Sequence, residues 1–247
     1  MEFDEVKQLM RFFFKKISLL PNNTPNYLLS LETGTQSLYV NTLQLHLDYI
    51  RKVLCMPPTR LPFILAIEAF DRKISWASKW QFLYAKFSIT LPDSLNASSL
   101  KTQHQTLITC VADSYTNNCI QKAQSSNNHD LYSQLSYTMQ PIVYGKLPSY
   151  ALSLFIKARG GLLALNGNPF TNSHSNICPI CNLQEVENVL HLVGVCPIYN
   201  IFRIQLLGKP QLSIAEVIAL LNGHDVSAFI GFLKLSLKYR NLIVNEF

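Results

Sequence analysis

Glycine is scarce, 9 residues in 247, and a fold rich in strands and tight turns would need more of it. Charge is scarce too. Asp, Glu, Lys and Arg together make up 15% of the chain, against the roughly 25% of an ordinary soluble domain. With 48% hydrophobic residues the chain buries a real core, so disorder throughout is excluded. Much of its surface must then be Ser, Asn, Gln, Thr or exposed apolar side chains, which implies a partner surface or a missing neighbour domain. No run of eighteen apolar residues occurs, because each greasy stretch is broken by Lys, Asn, Pro or Gln, and no membrane span is expected. The acidic start Met1-Glu2-Phe3-Asp4-Glu5 is neither a secretory leader nor a transit peptide. The expected setting is intracellular, nuclear or cytoplasmic, where clustered cysteines signal metal before disulfides. A formal charge of +6 leans toward polyanions without deciding the partner.

Apolar positions recurring at three and four predict a mainly α fold. Residues 1–87 read as a helical N-terminal block: a helix from Asp4 to Leu20 burying Val6, Leu9, Met10, Phe13, Phe14 and Ile17, a second from Ser37 to Cys55, then Ile64 to Phe70 and Ile74 to Phe87. Trp76 and Trp80, one turn apart, are expected in a core. Residues 88–147 are nearly uncharged and rich in Ser, Asn, Gln and Thr, which reads as a polar connector of weak helices and turns. Residues 148–247 read as a small zinc-clipped helical domain. A helix from Pro148 is broken at Arg159-Gly160-Gly161, and three more cover Tyr199 to Leu207, Ser213 to Leu221 with a capping box to Glu216, and Asp225 to Phe247.

Chemistry concentrates at 178–196. Cys178, Cys181, His191 and Cys196 form C-x2-C-x9-H-x4-C. A C-x2-C turn presents two thiolates on one edge of a tetrahedron, and the downstream His and Cys complete it, so zinc is expected in a closed, structural site. The alternative is a set of ordinary buried thiols beside a surface histidine. Glu185 to Val193 reads as a short helix with His191 in its last turn, and Gly194 as the point where the chain leaves it. Cys55, Cys110 and Cys119 are isolated, and His174 is a spare ligand ranked below His191.

The segment Cys178-Pro-Ile-Cys181 through His191 to Cys196-Pro-Ile-Tyr resembles the C-terminal zinc knuckle of insect-type non-LTR retrotransposon reverse transcriptases. The flanks are similar as well: Ala158-Arg159-Gly160-Gly161-Leu162-Leu163-Ala164-Leu165-Asn166 upstream, Leu221-Asn222-Gly223 and Tyr239 to Phe247 downstream, and Thr24-Pro25-Asn26-Tyr27 with Leu31-Glu32-Thr33-Gly34 like the stretch after the polymerase thumb. The likeness covers about residues 10–62 and 150–247 and fails across 88–147. It implies the non-catalytic C-terminal portion of a retroelement polyprotein, a truncated copy, gene fragment or host-retained remnant. Polymerisation needs paired carboxylates for two metals, and the chain has no Asp-Asp pair.

Two functions stay open at this level. One is an RNA- or DNA-binding module. The knuckle has two acids and no Lys or Arg between Ile177 and Asn200, so phosphates would be met by its neighbours Lys157, Arg159, Arg203 and Lys209, with the first helix's Lys7, Arg11, Lys15 and Lys16 as a second candidate surface. The other is a structural or protein-interaction remnant docking on retroelement polymerase domains.

Overall fold

The computed structural model describes residues 4–91, 95–126, 129–137, 147–169, 171 and 175–246. The fold is mainly α, and among the described residues the only β pairing is an isolated antiparallel bridge, Ile177 to Val186. No single described helix is long and apolar enough to cross a membrane. The chain divides into two compact units, one formed by Gln36–Asn118 and the other by 1–35 together with 119–247. These cuts fall elsewhere than the boundaries expected near 88 and 147. Residue 35 lies inside the first helical block, and Leu100, Leu107 and Val111 of the polar stretch belong to the core of the continuous unit.

The continuous unit contains α3 (Leu38–Leu54), α4 (Leu61–Asp71), α5 (Trp76–Lys86) and most of α6 (Ala97–Gln124). Ser37 caps α3 through its side chain to the Tyr39 amide. Val40, Leu43, Leu47, Ile50 and Leu54 from α3 bury against Trp80 and Tyr84 from α5 and Leu100, Leu107 and Val111 from α6. Asn96 accepts from the amides of Ser98 and Ser99, so Asn96-Ala97-Ser98-Ser99 starts a helix where composition suggested a turn. Trp80 sits in the core and Trp76 half-buried beside it, with His46 and His104 against the Trp80 ring at centroid distances of 5.7 and 5.0 Å.

The discontinuous unit contains α1 (Asp4–Ile17), α2 (Asn26–Thr33), α7 (Ser149–Arg159), α8 (Asn200–Leu207), α9 (Ile214–Leu221) and α10 (Val226–Glu246). Helix α10 packs on α8 and α7, and α9 on α7. The capping box at the start of α9 is present, Ser213 and Glu216 exchanging bonds. Gly160, after α7, comes so close to α2 that an added Cβ would lie 2.7 Å from Leu28. Between α2 and α7 stands a buried ionic knot: Arg159 Nε donates to both Glu32 oxygens at 3.0 and 2.9 Å, and the Tyr132 hydroxyl donates to the same carboxylate. The rest of the guanidinium serves the carbonyls of Leu221 and Ser136, tying in α9.

Candidate metal centre

Asn176 to Glu187 forms a small hairpin. The Cys178 amide donates to the Glu185 carbonyl and the Glu187 amide to that of Asn176, both at 2.9 Å. The reversal uses Gln184 in the left-handed region (φ 57°). This places Cys178 and Cys181 on one side. The helix expected from Glu185 is corrected: Glu185 and Val186 belong to the hairpin, and the turn carrying His191 is a π-helical one over His191–Val195, a wide geometry common at functional sites. Asn188 starts it, its side chain accepting from the His191 amide at 2.9 Å. Gly194 has a different reason from the one expected. It lies within the turn, where an added Cβ would stand 3.1 Å from the Leu212 carbonyl. The Cys196 amide then closes back on the His191 carbonyl at 2.9 Å.

The outcome is one cluster. The donor atoms of Cys178, Cys181, His191 and Cys196 all lie within 4.8 Å of one another, all four residues are buried, and the group can hold a metal ion. His174 lies outside the described residues. Cys181 Sγ is 3.4 Å from His191 Nε2, while Nδ1 of the same ring meets Glu185 Oε2 at 2.8 Å. Glu185 therefore fixes which nitrogen faces the sulfurs, the usual work of a carboxylate behind a metal-binding histidine.

Charge makes the same point. The hydrogen bond from Cys196 favours the Cys178 thiolate and holds that thiol's pKa down at about 3, against burial. That thiolate, and then burial, push Cys196 upward, and burial raises Cys181. The bond to Cys178 and that to Glu185 raise His191 despite burial. Three sulfurs this close oppose one another's ionisation, and a divalent cation is what would let them ionise side by side.

Behind the cluster, Glu187 is fully buried. Its carboxylate accepts from Arg240 Nε at 2.7 Å and Nη2 at 2.6 Å and from the Asn166 amide at 2.7 Å, while Oε1 lies 3.9 Å from Cys178 Sγ. The hairpin is thereby anchored to α10. Neither Glu187 nor Arg240 is assigned this role by spacing alone.

The four cations expected to meet phosphate separate into two kinds. Arg203 is fully buried, donating to the carbonyls of Pro210, Leu192 and Cys196, so it closes the chain around the metal cluster. Arg159 is buried in the knot with Glu32. In this structure the hydrogen-bonding groups of both serve the interior, not the surface where a phosphate was expected. Lys157 is half-buried, its pKa lowered by that burial, and Lys209 is exposed but paired with Glu216. The structure does not bring the four together as a basic surface. No protein-family model, curated protein or solved structure matches this chain.

Proposed function

We propose that the chain is a zinc-stapled, non-catalytic helical module from the C-terminal region of a non-LTR retroelement reverse-transcriptase protein, acting as a scaffold that docks beside polymerase domains. The observation that carries the zinc assignment is the convergence of Cys178, Cys181, His191 and Cys196. Tetrahedral zinc, with Zn–S about 2.3 Å and Zn–N about 2.0 Å, separates sulfur from nitrogen by roughly 3.5 Å, close to the 3.4 Å between Cys181 Sγ and His191 Nε2. Four protein donors leave no place for water, so the ion would be structural. The retroelement reading rests on the likeness of the knuckle and its flanks. The non-catalytic reading rests on the missing Asp-Asp pair.

A scaffold is preferred over a nucleic-acid module because Arg159 and Arg203 are spent inside the protein. The formal charge of +6 favours RNA or DNA binding as the second reading. Binding of single-stranded RNA and duplex DNA, measured by fluorescence anisotropy across a salt series, separates the two. A scaffold gives weak binding that vanishes at physiological salt, together with capture by a non-LTR reverse-transcriptase core. Tight binding with a salt slope corresponding to several phosphates would overturn the scaffold reading. Primer extension by this chain alone should give no template-dependent product, and product would refute the non-catalytic assignment.

A further inference from the structure

Helix α1 turns only part of its apolar surface toward the protein, where Met10 and Phe14 are half-buried. On its wheel Val6, Leu9, Phe13 and Ile17 share one face with Phe12 beside them, and Lys7, Arg11 and Lys15 lie across from it. Lys7, Arg11 and Lys15 are half-buried beside Met10 and Phe14, and Lys15 Nζ donates to the Asn22 carbonyl at 2.8 Å. The rest of the apolar surface looks outward, with Leu9 69%, Phe13 59%, Ile17 56%, Phe12 50% and Val6 47% exposed. That stripe amounts to on the order of 500 Å² of apolar surface, at the upper end of what monomers leave uncovered. Two such stripes facing each other would bury about 1,000 Å², the area a specific interface needs.

The charges along one edge of the stripe select the occupant. Glu5 stands near the start of α1 and Lys16 near its end, both exposed and both on the edge beside Leu9 and Phe12; Lys16 Nζ lies 5.4 Å from the Phe12 ring centroid. An anionic bilayer calls for cations flanking the apolar face, and here the main basic group points the other way. A uniformly acidic or basic partner would be repelled at one end. A helix of the same sequence lying antiparallel is repelled at neither, because in that arrangement like edges face each other and Glu5 of one copy falls opposite Lys16 of the other, twice about a two-fold axis. A parallel pair would bring like charges to the same end.

We infer that α1 is a self-association surface on which a second copy of this chain packs its own α1 antiparallel, with Leu9 and Phe13 beside the two-fold axis and Glu5–Lys16 pairs at the ends. Sedimentation equilibrium of the full-length, metal-loaded chain over a wide concentration range tests this, with thermal melting as the check that each surface variant is folded. The expected species is a dimer. Leu9→Ser with Phe13→Ser should abolish it. Glu5→Lys should weaken it about tenfold, since two exposed attractions become repulsions, and adding Lys16→Glu should restore it. A chain monomeric at every concentration overturns the inference, and if that monomer binds phosphatidylserine vesicles through Leu9 and Phe13, lipid takes the place of the second copy. A dimer unmoved by the serine pair, or a charge swap that fails to restore it, overturns it as well.

Discussion

Replacing Glu187 by Gln removes one charge and almost no volume, at a site where the partner has nowhere else to go. Arg240 is 6% exposed and directs two of its donors at the Glu187 carboxylate. The remaining polar group near it is the Asn166 side-chain oxygen, 3.1 Å from Nη2. Leaving a buried guanidinium opposite a neutral amide costs about 3 to 5 kcal/mol. At roughly 2 to 4 °C per kcal/mol for a chain of this size, the loss in Tm should be about 10 °C. Glu187→Met with Arg240→Met removes both charges together and should recover more than half of it, because the stretched cost belongs to the unpaired ion and not to the pair. Scanning calorimetry of the metal-loaded proteins, with metal content measured alongside, makes the comparison. A Glu187→Gln melt within about 2 °C of wild type, or a double variant no better than the single, would refute the anchoring role given to this pair.

Cys181→Ser should strip the protein of metal as purified and unfold the hairpin, since structural zinc modules draw about 10 to 16 kcal/mol from their ion; full metal content by mass spectrometry would contradict the four-donor site. Burial, then Arg51 and His46 opposed by Asp48, hold His104 at about 4, below its ordinary 6.5. A depressed histidine contributes stability that is complete above pH 6.5 and lost as pH falls through 4, about 3 kcal/mol in all. Trp76 and Trp80 fluorescence should report acid unfolding in that window, and His104→Phe should flatten it; an unchanged acid limb would refute the assignment. Ser213→Ala should cost about 1 kcal/mol in urea unfolding by breaking the capping box, and no change in midpoint would show that α9 is held by packing alone.

What could be read before folding follows from how local each signal is. The four clustered Cys and His residues that could hold a metal lie within nineteen consecutive residues and the Ser213–Glu216 box within four, so spacing alone located both groups. Helix α6 was obscured by composition. Its stripe of Leu100, Leu107 and Val111 keeps helical spacing, but the Ser, Asn, Gln and Thr along the rest of the helix resemble a loop. The interior salt bridges left a faint trace. Glu32 follows Leu28 by four, Arg159 follows Phe155 by four, and Arg240 follows Ser236 by four, each continuing a buried stripe with a charge. Such a charge reads as a binding group until its partner is known, and the partners stand 127 residues apart for Glu32 and Arg159 and 53 for Glu187 and Arg240. That is why spacing alone does not show that Arg159 is paired in the interior. Helix α2 went unread for a related reason, being short and without a side-chain cap.

The division of the chain also sets an order of events during synthesis. Helices α1 and α2 are made before residues 36–118, yet partners in their own unit are made only after that stretch. Glu32 waits for Arg159, 127 residues on, and the Leu19 carbonyl waits for Ser153, 134 residues on. At about 5 to 20 residues per second that wait is on the order of ten seconds. Residues 36–118 carry their own core in one unbroken stretch, so they can collapse while the opening segment is still waiting. Leu28, Leu29 and Leu31, all buried in the finished protein, stay uncovered throughout that interval. The first 35 residues are thus where a nascent-chain chaperone would be needed, and the inserted unit is the part whose removal would let the two halves of the other meet sooner.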